Sequence, residues 1–304
     1  MLRSDMERYI QLRQIAGFKL ANETLMLHSF ITLAESHGDR HIRTDRVLEW
    51  ASQASSPAQR NRRLSAIRHF AQALQAEDDR HQVPPCDAFG NAIHRRPPPY
   101  IFSPDEIARL IEVAGQLKPA GSIRPKMLAM LFGLLAATGL RISEALALRV
   151  QDVTADGLMI LETKFQKSRL VPLHDTTRAV LDRYLAARAQ TAAGSDALFV
   201  GINGKVPGYY GVKDVFDRVV MAMGLRRARN GGLPHIHDLR HTFAVRSLER
   251  FRGDRKAVSR HMTALSTYLG HTRVTDTYWY LEATPVLLEQ IAEAAETLHR
   301  EGNR

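Results

Sequence analysis

Apolar residues recur at helical spacing through the first 79 positions and do not settle into the two-residue alternation of strands. Met6, Ile10, Leu12 and Ile15 form a first run that stops at Gly17. A second starts after Asn22, which is placed to cap it, and carries Leu25, Leu27, Phe30, Ile31 and Leu33 toward Gly38. Thr44 or Asp45 is placed to cap a short third helix with Val47, Leu48 and Trp50. The fourth follows Ser56-Pro57, with the proline at the favoured first helical position, and runs to Ala76. Leu64, Ile67, Ala71 and Leu74 make its apolar stripe, and Arg60, Arg62, Arg63 and Arg68 fall mostly outside it. The pattern predicts an all-helical N-terminal domain over 1–79.

Between 80 and 103 the pattern breaks. Pro84-Pro85, Gly90 and Pro97-Pro98-Pro99 forbid a continuous helix, and His94-Arg95-Arg96 adds charge, so a semi-rigid basic linker is expected. Ser103-Pro104-Asp105-Glu106 then supplies a cap, an N1 proline and an acidic first turn, which opens a second domain over 104–304. The second domain reads as mixed. A buried helix over 123–137 ends at Gly139, and Ser143 is placed to cap another through Leu148. Runs at 157–163 and 168–173 flank Lys164-Phe165-Gln166-Lys167 and predict a hairpin. Helices are expected over 176–192, 212–223, 239–251 and 259–269, and the amphipathic stretch 285–298 predicts a tail helix within about 285–300. The fold class is therefore mainly α with a small antiparallel β-sheet, in two domains. No internal repeat is visible.

Composition narrows the class of partner. The 304 residues include 42 Lys+Arg against 32 Asp+Glu, a net charge of +10, with 44% hydrophobic residues as in a globular chain. Such an excess points to a polyanion, nucleic acid first. The single cysteine, Cys86, excludes an intrachain disulfide framework and a cysteine-cluster zinc site, and it suits a cytoplasmic location. No apolar run reaches the roughly 20 residues that span a bilayer. The best stretch, 127–138, contains Gly133, and no secretory leader is expected.

Four short stretches of the second domain carry groups suited to one kind of chemistry. Arg141 follows Gly139 at a break between helices, where the N–H groups of the next helix also face a cleft. Arg240 opens a helix three residues after His237. Two guanidiniums converging on one phosphate make bidentate, charge-assisted bonds and stabilise a phosphorane-like transition state. His237 can orient or deprotonate a nucleophile, and His271 can donate to a phosphate oxygen. His235, His237 and His241 lack the spacing and the extra ligands of a zinc site, so no metal is expected. Lys164 at a hairpin tip can protonate a leaving alkoxide. Tyr278, Trp279 and Tyr280 follow a cap at Thr275 or Asp276, and a phenol becomes a nucleophile once a base or a cationic site draws off its proton. Singly, these are ordinarily a surface arginine, a structural histidine, a solvated lysine and an aromatic packing cluster. Their ordered combination is what points to phosphoryl transfer.

In that order the chain resembles the tyrosine recombinase, or phage integrase, family. The match runs through Arg141 in TGLRISE, Lys164 in TKFQKSRLVPL, His237-Asp238-Leu239-Arg240-His241-Thr242, Leu269-Gly270-His271 and Tyr280, and covers 104–284. The resemblance implies a C-shaped clamp, with a helical core-binding domain and a mixed α/β catalytic domain closing around double-stranded DNA. It implies that Arg141, Arg240 and His271 cradle the scissile phosphate, with Glu144 supporting the arginines. Lys164 would be the general acid for the departing 5′-hydroxyl, with Lys167 as a substitute. His237 would be the base or positioner, and Tyr280 the nucleophile that forms a 3′-phosphotyrosyl link. Neither metal, cofactor nor ATP is implied, because the link stores the phosphodiester energy.

The implied partner is a DNA duplex with a specific recombination site. A homo-tetramer would form on two duplexes from monomers or weak oligomers, with the tail helix docking on a neighbour. Arg60, Arg62, Arg63 and Arg68 are the candidate groove surface, with Arg95 and Arg96 in the linker. Arg226, Arg227 and Arg229 are candidate backbone contacts. The segment from Arg240 to His271 is longer than the family's usual one, and Tyr278 competes with Tyr280, with the register from His271 favouring Tyr280. No arm-binding module is expected ahead of residue 1. Two alternatives remain open at this point: an architectural or excision-directing DNA-binding protein with a retired site, and a monomeric enzyme like the type IB topoisomerases. A covalent protein–DNA adduct separates the first from a recombinase, and relaxation of supercoils without a specific site separates the second.

Overall fold

The computed structural model describes residues 2–18, 20–90, 98–161, 168–191, 194–227, 231–250, 255–270, 275–278 and 280. The chain divides into two compact units, 1–96 and 97–304. The first contains helices α1 (Leu2–Ile15), α2 (Ala21–Ser36), α3 (Thr44–Ser52) and α4 (Pro57–Gln75). Met6, Phe30, Ile31, Trp50, Ile67 and Phe70 fill its core. The α4 start follows the predicted chemistry, with Ser56 Oγ accepting the Gln59 N–H at 3.3 Å and Pro57 in the first turn.

The other caps and stripes need correction. The buried face of α1 is Leu2, Met6, Tyr9 and Ile10, whereas Leu12 and Ile15 are 60% and 77% exposed. Asn22 lies inside α2, which follows Leu20 without a side-chain cap, and Leu25 is exposed. Thr44 is the first residue of α3, and Arg43 takes the cap position. The expected linker also starts too early. His81 is buried, with Nδ1 accepting the Ile42 N–H at 3.1 Å, and Val83, Ala88 and Phe89 pack on the first core. Arg95 and Arg96 lie outside the described residues.

The second unit runs α5 (Pro104–Gly115), α6 (Ile123–Thr138), α7 (Ile142–Ala147), β1 (Val153–Thr154), β2 (Gly157–Ile160), β3 (Arg169–Val171), α8 (Asp175–Ala189), α9 (Tyr209–Ala222), α10 (Asp238–Arg250), α11 (Arg255–Leu269) and α12 (Thr275–Tyr278). Past its first turn, helix α6 is apolar on all sides and accordingly occupies the centre, against α5, α8 and α10. The strands form one antiparallel sheet in the order β1-β2-β3, with Leu158 opposite Val171 and Ile160 opposite Arg169. At α5 the predicted start is a full capping box: Ser103 Oγ accepts the Glu106 N–H at 3.1 Å, and Glu106 Oε2 accepts the Ser103 N–H at 2.8 Å.

Ser143 is not the cap of α7; it lies within the helix, whose cap position is Arg141. Helix α11 begins at Arg255, four residues before the expected start. The expected positions of Lys164, Lys167, His271 and the tail over 285–298 lie outside the described residues. Among the described residues no helix is long and apolar enough to cross a membrane.

Gly139 ends α6 in the left-handed region, with φ of 62°. A Cβ there would lie 2.6 Å from Phe243 Cδ1 on α10 and 3.2 Å from Leu269 Cδ2 on α11. Gly139→Ala therefore combines a left-handed penalty of about 1–2 kcal/mol with an overpacking penalty of about 1–3 kcal/mol. Urea unfolding is expected to show a loss of about 3 kcal/mol. A variant within about 0.5 kcal/mol of the parent would contradict this packing.

Candidate active site

The close approach at Gly139 brings the C-terminal ends of α6 and α11 beside the N-terminal end of α10. Arg240, the third residue of α10, is the side chain that joins them. Its Nη1 donates to the Gly139 carbonyl at 2.8 Å and its Nη2 to the Leu269 carbonyl at 2.6 Å. Carbonyls at helix C-termini carry partial negative charge, which makes them suitable partners for a buried cation. Arg240 is only 2% exposed. Burial, followed by the neighbouring Arg141 charge, pulls its pKa down from 12.5 to about 10. It remains a cation at neutral pH, in a place that would favour an added anion.

Arg141 approaches the same turn from the start of α7. Its Nη2 donates to the Gly270 carbonyl at 3.0 Å, and its Nη1 to Glu144 Oε1 at 2.7 Å. Glu144 Oε2 accepts the Arg141 backbone N–H at 3.0 Å, so one carboxylate holds both the backbone and the guanidinium of Arg141. Arg141 keeps 30% of its side chain exposed, and so offers an accessible charge beside the buried one of Arg240.

Glu144 has a second partner that the sequence reading missed. Arg169, the first residue of β3, donates from Nη2 to Glu144 Oε2 at 2.8 Å and from Nη1 to Oε1 at 3.2 Å. Burial alone would raise the Glu144 pKa, but the Arg169 bonds and those of Arg141 outweigh it and hold it below the ordinary 4.5. Stability from this carboxylate is thus fully present above about pH 4.5 and is lost as pH falls through the lower folded value. Glu144→Gln is expected to cost about 2–4 kcal/mol at pH 7. The difference from the parent should shrink toward zero as pH falls through the lowered folded pKa of Glu144, as measured by urea unfolding across pH. A constant difference at all pH values would contradict it.

Tyr280 and Tyr278 occupy different settings. Tyr280 is 1% exposed and packs with Val245, Leu248 and Leu269. Its hydroxyl is 3.0 Å from His241 Nδ1, a hydrogen bond whose proton direction depends on the imidazole tautomer. Tyr278 is 49% exposed. His237 is exposed, and its ring meets that of His241 edge-on at 4.6 Å. The Tyr280 hydroxyl thus meets His241, a residue the sequence reading weighed only as a metal ligand and as part of the family motif. One turn of helix separates it from His237, and that i, i+4 spacing is the signal that could have found it.

Asp238, between these histidines, is buried and accepts the His235 N–H at 2.6 Å and a bond from Arg227 Nη2. Burial raises its pKa against the pull of those donors. Arg227 also donates from Nε to the Leu233 carbonyl at 3.1 Å. It thus fastens the loop ahead of α10, while Arg226 stays exposed.

The candidate groove arginines also divide. Arg63 donates to the Trp50 carbonyl at 3.0 Å and lies over the Trp50 ring, and Arg60 lies over the Phe89 ring at 4.5 Å. Both are engaged in packing within the first unit. Arg68 is half-buried and Arg62 is exposed.

Comparison with known proteins adds an independent finding. The model of the phage integrase family matches residues 101–285. A protein of Sinorhizobium fredii named integrase/recombinase y4rB is 36% identical over 97% of this chain and 96% of its own length. The tyrosine recombinase XerD of Caulobacter vibrioides is 32% identical over 82% of this chain and 77% of its own. Among solved structures, the XerH site-specific recombinase bound to palindromic difH substrate superposes with a TM-score of 0.66. It is 20% identical and covers 90% of this chain and 78% of that one, so the likeness establishes the fold.

Proposed function

The chain belongs to the phage integrase family, and from that premise we propose that its second unit cuts and rejoins DNA with Arg141, Arg240 and Tyr280 at the centre of the site. It is a site-specific tyrosine recombinase, and duplex DNA is its partner. The observation that supports these residue roles is the meeting of Arg141 and Arg240 on one backbone turn, Leu269–Gly270, in a unit whose core also holds Tyr280.

In the proposed step the Tyr280 oxygen attacks phosphorus, an O–P bond forms, and the bond from phosphorus to the 5′ oxygen breaks. The phenolic proton passes to His237, and Lys164 protonates the departing 5′ oxygen. Arg141 and Arg240, with His271, hold the non-bridging oxygens, where negative charge grows in the transition state. The reverse attack by a 5′-hydroxyl of the partner duplex completes exchange, and the step is a transesterification that consumes no nucleotide. Tyr280 is buried with its hydroxyl on His241, so reaching a phosphate requires that hydroxyl to become accessible.

The two units would close as a clamp on a specific site, and four subunits would gather two duplexes in the cytoplasm. The exposed Arg62 and the half-buried Arg68 are the members of the α4 set best placed for phosphate. Binding through six to ten phosphates would weaken by roughly a thousand-fold or more between 50 and 200 mM salt, as read by fluorescence anisotropy. A flat constant would contradict the phosphate interface.

The polarity of the covalent link tests the reaction itself. After denaturing capture on a nicked duplex, the protein should carry the 3′ phosphate and leave a 5′-hydroxyl that a polynucleotide kinase labels without prior phosphatase. A 5′-linked adduct, or cleavage without any adduct, would overturn the proposed chemistry.

A further inference from the structure

Arg169 has no role in the step described above, yet its side chain is only 14% exposed and both its terminal nitrogens are bonded. The two nitrogens grip the two oxygens of Glu144, a forked contact that fixes the plane of the carboxylate as well as its position. Glu144 holds Arg141 by two bonds of its own. With Arg141 alone the carboxylate could rotate; with a second fork on it, one orientation remains.

The backbone of Gly270 lies against the same assembly. A Cβ at Gly270 would be 3.0 Å from Arg169 Nη1 and 3.6 Å from Arg141 Nη1, and the Gly270 carbonyl takes the bond from Arg141 Nη2. The two guanidiniums therefore flank the turn that precedes His271. Arg169 Nε is buried and has no hydrogen-bond partner among the described residues. A guanidinium kept there at that cost is held by its fork on Glu144. Among the described residues, further charged or titratable groups around this cluster are Arg240 from α10, Tyr268 from α11 and, beside Arg240, Tyr280.

We propose that Arg169 is a positioning residue for strand cleavage: it locks the Glu144 carboxylate, which in turn aims Arg141 at the scissile phosphate. The inference rests on the reading that Arg141 binds that phosphate. Arg169 itself does not touch it. Because a misplacement of about 1 Å in a catalytic group can cost 10²-fold, the effect should fall on the rate rather than on binding.

Single-turnover adduct formation on a nicked suicide duplex tests this, with DNA affinity measured in parallel. Arg169→Gln should cleave about 100-fold more slowly at saturating protein, with affinity within about two-fold of the parent because phosphate contacts are retained. Arg169→Lys should recover part of the rate, since it restores the charge without the fork. The double variant with Glu144→Gln should be no slower than the slower single variant, because the two act through one route.

The pH profile separates positioning from a loss of fold. Arg169→Gln should move the acid edge of cleavage to higher pH as Glu144 loses a partner, and Glu144→Gln should remove that edge. If Arg169→Gln does not fold, the rate and acid edge of Arg169→Lys decide. A parental rate, an unmoved acid edge or additive losses in the double variant would overturn the inference while the parent still forms its adduct. A parent that forms no adduct would overturn the phosphate reading, and the inference with it.

Discussion

Arg240→Met is expected to lower strand cleavage by about a thousand-fold while leaving the stability of the fold nearly unchanged. The two halves of this expectation have opposite physical origins. Arg240 is a buried cation whose pKa of about 10, against an ordinary 12.5, corresponds to roughly 3 kcal/mol of unfavourable setting for its charge. Removing it relieves that strain. It also leaves the Gly139 and Leu269 carbonyls without their guanidinium donor, at about 1–3 kcal/mol each. Methionine refills much of the side-chain volume, so the opposing effects nearly cancel.

The rate has no such compensation. A fixed donor directed at developing phosphate charge is worth about 10²–10³ in rate, and Arg240 presents a charged fork in a water-poor setting. Arg240→Lys should restore little, because a single ammonium cannot span two carbonyls and a phosphate. Single-turnover cleavage and urea unfolding, measured on the same preparations, check both halves. A variant that cleaves within ten-fold of the parent would remove Arg240 from the centre of the site.

This balance also explains which parts of the molecule could be read from the chain. Local signals with a single mechanism were legible. Ser103-Pro104-Asp105-Glu106 specifies a helix start whatever surrounds it, and Gly139 specifies a helix end. Signals that depend on a neighbour were not. Asn22 and Ser143 have the chemistry of caps, but the chain enters both helices earlier, and Arg141 takes the cap position with Glu144 closing the turn. In α1 the run through Leu12 and Ile15 suggested a buried face, whereas the face that meets α2 and α4 ends at Ile10.

The site shows the same division. Arg141 and Arg240 were legible because the family motif names them, and their meeting at Leu269–Gly270 gives that motif a geometry. Arg169 was not legible, because its partner Glu144 is 25 residues away and the residue itself sits in a short strand run. The arginines of α4 looked alike in sequence, and only the rings of Trp50 and Phe89 distinguish Arg60 and Arg63 from Arg62. Side chains recruited across the fold carry no periodic or local mark, so their partners have to be seen.

The same limit bears on the nucleophile. By exposure alone Tyr278, at 49%, would be the available phenol, and Tyr280, at 1%, would be a core residue. Register and surroundings favour the opposite choice. Tyr280 packs beside Leu269 at the turn held by both arginines, and its hydroxyl meets His241. A phenol is activated by a cationic setting rather than by exposure to water.

Covalent trapping on a nicked suicide duplex, with Tyr280→Phe and Tyr278→Phe run beside the parent protein, tests this most directly. The parent and Tyr278→Phe should each give a protein–DNA adduct stable to denaturant, and Tyr280→Phe should give none while still binding the duplex. An adduct from Tyr280→Phe, with none from Tyr278→Phe, would contradict the account at its centre.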